Sequence, residues 1–473
     1  MATRVNTQRK AKGGTLILGG GFAGATVAQR LGKLGATIVN PDNFMLYTPM
    51  LPEAASGIID GRHVVVPLRA MCPDAEVLLG WATGLDEANK TVEVTTEDEG
   101  VFTIGYDRLV IALGAIIRIF PIPGLAEHTL PFKTLPDGMN LRNHVIRRLE
   151  DAVEAPTEEE RQRNLTFVFI GGGYSGVESC AEMKDLVDDA MKHYPSLKGA
   201  KQRWLLVDAG PEILGTLPPK LQQYAHTHLE KDGVEIRCNT RLQAVEENAV
   251  VLSDGERIEA DTIVWAAGVQ PHPLLNELGL PLDEKSGAIK VDQYLRVEGR
   301  EDIYALGDCA LVPNPANPRG FDPPTCQHAL RQAKRLTKNL KGGQMQPYKF
   351  KTLGQVAQLG RYKGVSETLG VRRRGFMGFF IARGYHLYAF PLMPRRIRIM
   401  IDWALGMMFK RDIVQTGGPV RKGHVLPETR HEAMAAGMHD REPVPTDGAQ
   451  PQPQPAMATE VEPVEAPAAP NPA

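Results

Sequence analysis

Residues 15–31 read TLILGGGFAGATVAQRL, and this stretch decides the fold. Its apolar start runs into the pattern Gly19-x-Gly21-x-x-Gly24, and small residues at helical spacing follow. This order of strand, glycine turn and helix is typical of a βαβ unit that binds a dinucleotide. Gly19 permits the tight turn, Gly21 lets a pyrophosphate approach the backbone, and Gly24 lets the helix pack on the strand. The positive end of the helix is then directed at the pyrophosphate.

A second copy of the pattern makes the prediction more specific. Gly171-x-Gly173-x-x-Gly176 follows the apolar run 167–170 and leads into another helical pattern. One glycine motif alone is weak evidence, whereas two dinucleotide folds in one chain suggest two nucleotides that meet ring to ring. The sequence therefore predicts an α/β protein with two Rossmann-like domains.

Composition limits the remaining classes of function. The chain has 473 residues and a formal net charge of −2, so no global field favours nucleic acid as a partner. Its five cysteines are scattered without CxxC spacing, which predicts neither a disulfide framework nor a redox dithiol, and a reducing compartment fits best. We expect no metal site. The N-terminus carries basic residues but no apolar stretch, so we expect no signal peptide.

Polar residues at three strand ends are candidates for cofactor binding. Asp208 ends a strand after the second glycine motif, where an acid suits the ribose 2′-hydroxyl of NADH and repels the 2′-phosphate of NADPH. Asn40 ends the corresponding strand of the first unit, where ribose binding and a plain turn are nearly equal alternatives. Asp308 follows a strand and a glycine in DIYALGD, where its carboxylate could accept hydrogen bonds from ribityl hydroxyls of a flavin.

Other elements are predicted from apolar runs and from charge. Residues 76–83 and 91–95 are expected as strands of a small β insertion, and 106–114 as a buried strand. A charged helix is expected over residues 137–163, before the second glycine motif.

Six motifs carry a family resemblance, in the order GGGFAG, NFMLYTPMLPEAASG, YDRLVIALGA, GGGYSGVE, TIVWAAGV and DIYALGDCA. With them the chain resembles the two-dinucleotide-binding-domain flavoproteins, and more closely the type II NADH:quinone oxidoreductases. The resemblance implies an FAD-binding domain in two parts, 14–164 and 269–345, with an NADH-binding domain, 165–268, inserted between them. It also implies hydride transfer from NADH to FAD and transfer of two electrons to a membrane quinone, without proton pumping.

The resemblance assigns residues to each site. For FAD it implies Gly19, Gly21, Phe22, Ala23, Gly24, Asn40, Thr48, Pro49, Gly114 and Asp308. For NADH it implies Gly171, Gly173, Tyr174, Ser175, Gly176, Asp208, Ala267 and Gly268. Glu178 and Gln327 are the expected catalytic residues, and the expected quinone site comprises Gln327, Ala329 and Gln332.

Several positions depart from the family pattern or leave a role open. The departures are Asn40, Leu113, Cys326 and Arg331. His328 is interpreted either as a proton donor or as a histidine packed under the flavin.

The C-terminal region, 346–416, is predicted to associate with a membrane. Between Arg372 and Arg411 nine basic residues face a single acid, Asp402, and apolar residues interleave with them. Only 11 uncharged residues separate Arg383 from Arg395, fewer than the ~20 that a spanning helix needs. Basic amphipathic helices that lie on a lipid surface fit better, and a core-packed helix pair is the alternative. The Pro-rich tail, 417–473, is predicted to be disordered.

These features predict a peripheral enzyme on the cytoplasmic face of the cell membrane, and relatives suggest a homodimer. Three alternatives stay open at this point. They are an NADH-dependent reductase of a soluble acceptor, an enzyme like the sulfide:quinone oxidoreductases, and a flavoprotein sensor that binds NADH without turnover.

Overall fold

The computed structural model describes residues 8–97, 100–416 and 422–423, and it contains two five-stranded parallel sheets. The strands of the first sheet are, in spatial order, Ile303–Ala305, Arg108–Ile111, Thr15–Leu18, Thr37–Asn40 and Glu76–Leu79. Its central strand is buried along its whole length, which explains why this sequence is continuously apolar. The helix Phe22–Leu31 follows that strand and packs against the helix Cys326–Leu340.

The second sheet has the same arrangement around the second glycine motif. Its strands are, in spatial order, Leu130–Pro131, Thr262–Trp265, Thr166–Ile170, Arg203–Val207 and Val234–Arg237. The glycine motif joins the central strand to the helix Tyr174–Ala190. The ring of Trp204 stacks on that of Phe167 at 4.2 Å between centroids and fills the core on one side of the sheet.

The second unit is inserted in the first. The strand Ile303–Ala305 joins the first sheet only after the second sheet is complete. The chain passes from the first unit to the second and back again, and the segments near these two passages pair as the antiparallel strands Ala115–Ile117 and Val269–Pro271. The predicted fold of two Rossmann-like domains is therefore confirmed. The second sheet also takes Leu130–Pro131 from the range assigned to the first part of the FAD domain. The domain boundaries themselves stay predictions.

Two predicted elements are different in the structure. Residues 76–83 do not belong to one insertion, because Glu76–Leu79 is the edge strand of the first large sheet and Trp81–Asp86 begins a separate small sheet. The expected helix over 137–163 is two helices, Leu135–Glu154 and Glu158–Asn164. Pro156 explains the break, since a proline disfavours helical geometry at the residue before it.

Small sheets and short helices complete the described part of the chain. One sheet comprises Gln8–Lys10, Gly100–Gly105, Thr91–Thr96 and Trp81–Asp86, and another comprises Leu242–Glu246, Ala249–Leu252 and Arg257–Glu259. Two-stranded pairs are formed by Phe44–Leu46 with Val65–Pro67 and by Ile289–Lys290 with Ala310–Leu311. The remaining helices before residue 340 are Leu51–Ala55, Leu68–Met71, Leu125–His128 and Pro219–Lys231. Short 3₁₀ turns are Lys12–Gly14, Gly32–Leu34, Thr48–Met50, Met191–His193, Pro195–Leu197, Pro273–Glu277 and Gly307–Cys309.

The C-terminal region consists of a small sheet and two helices. The sheet strands are Gly354–Gln358, Gly364–Thr368 and Val371–Arg374, and the helices are Gly375–Ala389 and Met393–Met408. Among the described residues no helix is both long enough and apolar enough to cross a bilayer. The predicted disordered tail, 417–473, lies outside the described residues except for 422 and 423.

Candidate active site

The first glycine loop has the geometry that its sequence predicts. Gly19 has φ +97°, and a Cβ there would lie 2.4 Å from the carbonyl oxygen of Ala112. A Cβ on Gly24 would lie 1.9 Å from the carbonyl oxygen of Gly19. Gly21, by contrast, has no atom within 4 Å of an added Cβ. The first and third positions therefore need glycine because a side chain there would clash with the protein backbone. At the second position the space is open, and a bound group would occupy it.

The second loop repeats this geometry. A Cβ on Gly176 would lie 1.8 Å from the carbonyl oxygen of Gly171, while Gly173 has nothing within 4 Å. Both following helices start at the open glycine, and neither N-terminus is capped by a side chain or has an acid in its first turn. Free N–H groups at a helix start are a ready site for phosphate. Both loops therefore fit a dinucleotide pyrophosphate.

Asn40 and Asp208 occupy equivalent positions at the two strand ends. The Oδ1 of Asn40 accepts a hydrogen bond from the backbone N–H of Gly20 at 2.6 Å, and Oδ2 of Asp208 accepts the corresponding one from Gly172 at 2.5 Å. Asp208 also accepts from the N–H of Gly210 at 2.7 Å. Each side chain therefore holds its glycine loop in place. For Asn40 this is a third role, besides the ribose binding and the plain turn that the sequence left open. A carboxylate has further lone pairs for a ribose hydroxyl.

The other residues assigned to FAD and NADH surround these loops. Thr48 and Pro49 form a 3₁₀ turn after Tyr47, whose ring contacts that of Phe22 at 5.5 Å between centroids. Gly114 has φ +70° with open space around its Cβ position. The carboxylate of Asp308 makes no hydrogen bond or ion pair within the described part of the chain, and burial raises its pKa. An unpaired, shielded acceptor of this kind fits a sugar alcohol such as the ribityl chain.

The remaining predicted contacts lie at both loops. Ala23 is buried in the first turn of the helix after Gly21, and Ser175 lies in the first turn of the helix after Gly173. Ala267 and Gly268 follow the strand Thr262–Trp265, and Gly268 has φ +80°. A dinucleotide on the second loop would extend along this strand end.

Glu178 is a buried acid one turn into the helix Tyr174–Ala190. Its Oε1 accepts a hydrogen bond from the backbone N–H of Gln358 at 2.8 Å. Burial raises the pKa of Glu178 to about 8 against the opposing effect of this bond, and the charges of Glu53 and Glu182 raise it further. The carboxyl therefore carries a proton at neutral pH.

The predicted quinone residues do not all point to one place. Gln327 donates from Nε2 to the carbonyl oxygen of Gly354 at 3.2 Å, which attaches it to the C-terminal sheet. Gln332 instead accepts from the N–H of Gly307 at 2.8 Å and donates to Asp322 at 2.8 Å. Because both ends of its amide are occupied, Gln332 holds the turn that carries Asp308. Ala329 is buried against the same turn.

His328 is packed inside the protein. It is 2% exposed, its Nδ1 lies 2.7 Å from the hydroxyl of Thr325, and burial lowers its pKa. An imidazole that stays neutral has no extra proton to donate, so the structure favours the packed interpretation.

The strand Gly354–Gln358 contributes to the site, although its sequence did not predict this. Its first residue binds Gln327, the side-chain Oε1 of Gln355 accepts from the hydroxyl of Tyr174 at 2.5 Å, and its last residue binds Glu178. One strand therefore joins the predicted quinone residue to the second loop and its acid. The alternation GQVAQ indicates only a half-buried strand, so nothing local marked this role.

A family model described as pyridine nucleotide-disulphide oxidoreductase matches residues 14–333. The chain belongs to this family.

Relatives with established descriptions extend the match. The chain is 30% identical over 412 residues to a probable NADH dehydrogenase of Dictyostelium discoideum, with 84% of this chain and 90% of that protein covered. It is also 30% identical over 436 residues to the internal alternative NAD(P)H-ubiquinone oxidoreductase A1, mitochondrial, of Solanum tuberosum, covering 84% and 87% of the two chains. The predicted resemblance to type II NADH:quinone oxidoreductases is confirmed by these relatives.

A solved structure shows the same fold. NDH2 from Plasmodium falciparum, in complex with NADH, superposes with a TM-score of 0.79 at 18% identity, over 86% of this chain and 100% of that one.

In the present chain, two arginines of the C-terminal region point into the protein. Arg383 donates to the buried carboxylate of Glu53 at 2.5 Å. Arg411 donates to Glu182 at 2.9 Å and to Asp185 at 3.2 Å. Both arginines belong to the basic segment that the sequence predicts to face a membrane. That prediction is wrong for these two side chains, because each is paired with a buried carboxylate of the Rossmann-like units.

The cysteines provide no support for a thiol-dependent reaction. All five are free, and burial raises the pKa values of Cys309 and Cys326 to about 11 each. A thiol that stays protonated is a poor nucleophile. The alternative of chemistry like that of the sulfide:quinone oxidoreductases therefore loses its reactive group.

Proposed function

We propose that this chain is a membrane-peripheral NADH:quinone oxidoreductase that passes hydride from NADH to FAD and two electrons to a membrane quinone. The cofactors are FAD and NADH. The observation that carries the proposal is the strand Gly354–Gln358, which ties Gln327 on the FAD side to Glu178 on the NADH side. This strand holds the predicted quinone residue and the acid of the second loop in one unit, as electron transfer from NADH to a quinone within one site requires.

The residues of the chain supply binding and position. Bound FAD supplies two-electron redox chemistry at its isoalloxazine ring. The backbone at Gly21 and Gly173 would hold the pyrophosphates, Asp308 would bind the ribityl hydroxyls, and Asp208 would bind the adenosine ribose of NADH. Residues in these positions would orient both cofactors in one site, as hydride transfer requires.

Glu178 supplies a proton. Reduction of a quinone to a quinol by NADH consumes one proton beyond the hydride, and this proton must come from the protein or from water. Because Oε1 accepts the N–H of Gln358, Oε2 is the oxygen of Glu178 that is left to carry the proton. With a pKa of about 8 this carboxyl is protonated at rest and still able to release its proton.

The exposed face of the C-terminal helices is the proposed contact with lipid. On Met393–Met408 this face includes Ile397, Met400, Ile401, Leu405 and Met408, which are 44–76% exposed. Phe376 and Phe380 extend it onto Gly375–Ala389, and three arginines of the neighbouring strand are exposed beside it. Apolar area flanked by cations fits the surface of an anionic bilayer. We propose that the protein binds the cell membrane on its cytoplasmic face.

A paired test separates the catalytic claim from the membrane claim. Ile401→Glu should release the protein from anionic liposomes and slow NADH oxidation with a long-tailed quinone, while activity with a short, soluble quinone stays normal. Leu34→Glu, at an apolar residue 59% exposed on the first unit, is the matched control and should change neither.

Each contrary outcome has a definite meaning. No NADH oxidation with either quinone by the yellow wild-type protein would refute the oxidoreductase. Full activity with the soluble quinone but no liposome binding would favour the reductase of a soluble acceptor. A change from dimer to monomer in Ile401→Glu, without any liposome effect, would assign the apolar face to a homodimer.

A further inference from the structure

A cluster of three metal-ligating side chains lies outside the site described above. Glu212, His226 and Cys238 each offer a ligand atom, and these atoms lie within 4.8 Å of one another. They come from the loop after Arg203–Val207, from the helix Pro219–Lys231, and from the end of Val234–Arg237. All three are half-buried, so a cation can reach them from solvent.

We propose that Glu212, His226 and Cys238 form a binding site for a divalent cation of the zinc class, beside the loop that holds the dinucleotide. A thiolate, an imidazole and a carboxylate are the three ligand types that Zn²⁺ prefers, and three protein ligands leave a fourth position for water. Tetrahedral coordination at ordinary bond lengths sets ligand atoms about 3.3–3.6 Å apart. The three ligand atoms reach these separations by side-chain shifts of about an ångström, because half-exposed side chains can change rotamer readily.

The surroundings of His226 suit a metal ligand. Its Nδ1 lies 2.6 Å from Oε1 of Glu212, and its Nε2 lies 3.5 Å from a carboxylate oxygen of Glu230. A metal on Nδ1 takes the place of the proton shared with Glu212. The other ring nitrogen then donates its N–H toward Glu230, which is the carboxylate–histidine–metal arrangement common in metalloproteins.

The local charge also favours a cation. The carboxylates of Glu212 and Glu230 both lie against His226, which places two negative charges at the cluster. A divalent ion neutralises these charges, and its binding displaces the thiol proton of Cys238.

The cluster is joined directly to the dinucleotide loop. The N–H of Asp208 donates to the carbonyl oxygen of Arg237 at 2.9 Å, and the N–H of Asn239 donates to that of Gly210 at 2.8 Å. Cys238 lies between these two bonds in sequence. A bound cation adds positive charge beside a site for an anionic dinucleotide, so the proposed metal and NAD⁺ strengthen each other's binding. This coupling rests on the proposed use of Asp208, whereas the metal site itself does not.

Cobalt titration of the full-length, flavin-loaded protein, freed of metal by a chelator, tests the site. We expect one equivalent of Co²⁺ to produce a thiolate charge-transfer band and tetrahedral d–d bands in the red, where oxidised flavin does not absorb, and Zn²⁺ to abolish both. Cys238→Ser should lose the charge-transfer band, and His226→Gln should lose about tenfold or more in affinity. His193→Gln, at an exposed histidine, is the matched control. Flavin absorbance and melting temperature confirm that each variant is folded.

The outcomes decide between the two parts of the proposal. Less than one equivalent bound by wild type, or an unchanged charge-transfer band in Cys238→Ser, overturns the metal site. If the site holds, the Kd of NAD⁺ should fall about fivefold on addition of Zn²⁺ to wild type and stay constant in Cys238→Ser. An equal Kd with and without Zn²⁺ in wild type overturns the coupling.

Discussion

The proton on Glu178 should control quinone reduction through pH. With a pKa of about 8, the carboxyl is about 90% protonated at pH 7 and about 10% protonated at pH 9. If turnover requires this proton, kcat for quinone reduction should fall about tenfold between pH 7 and pH 9. Glu178→Gln cannot release a proton, so its rate should be low and independent of pH over the same range.

Single-turnover measurements separate the steps. Stopped-flow reduction of the flavin by NADH and its reoxidation by quinone are recorded from pH 6 to pH 10, in wild type and in Glu178→Gln. The inflection near pH 8 should belong to the reoxidation step and should be absent from the variant. Glu159→Gln, an exposed acid on the helix Glu158–Asn164, is the control and should keep the wild-type profile. A wild-type profile that is flat from pH 7 to 9, or the same inflection in Glu178→Gln, would refute the reasoning.

The same pKa makes a prediction about stability that does not depend on activity. The folded value of about 8 exceeds the ordinary value of 4.5, so the folded state binds more protons than the unfolded state between these pH values. The stabilising contribution of Glu178 is complete below pH 4.5 and is lost as pH rises to 8. The melting temperature of Glu178→Gln should therefore rise relative to wild type across this window, and a constant difference would contradict the raised pKa.

The other predictions concern the loops and the buried ion pairs. Gly21→Val fills the open space of the first loop and should abolish flavin absorbance in the purified protein, whereas Gly173→Val should keep the flavin and weaken NADH binding measured by titration. Asp208→Asn copies the residue of the first unit, so it should keep the hydrogen bond from the N–H of Gly172 yet reduce the preference for NADH over NADPH by roughly 1–3 kcal/mol in kcat/KM. An unchanged ratio would place the ribose acid elsewhere. Arg411→Met leaves buried carboxylates without their counter-charge, so it should cost about 3–5 kcal/mol and lower the melting temperature, and adding Glu182→Gln should restore part of the loss; equal melting temperatures would show that the pair contributes nothing.

Features that depend on a few neighbouring residues were predictable. The glycine motif can be recognised within six residues, and the Cβ clash at Gly24 is with Gly19 of the same loop. The clash at Gly19 is with Ala112, just after the neighbouring strand, so that part of its requirement became visible only in the fold. Asn40 and Asp208 were found as strand-end residues, but their bonds to the loop glycines required knowledge of where each strand end lies. The prediction of one helix over 137–163 was wrong because Pro156 interrupts it. This single residue had more effect on the backbone than the charge pattern around it.

The sequence by itself therefore determined the two Rossmann-like units, their glycine loops and the family, since these follow from the local pattern of strand, glycines and helix and from the order of the motifs. Only the tertiary structure decided that Gly354–Gln358 connects Gln327 to Glu178, since these contacts join residues up to 180 positions apart. It also decided that Arg383 and Arg411 turn inward. An arginine in a segment of mixed basic and apolar residues carries the same charge whether it faces lipid or a buried acid, and only the position of the partner carboxylate in space distinguishes the two.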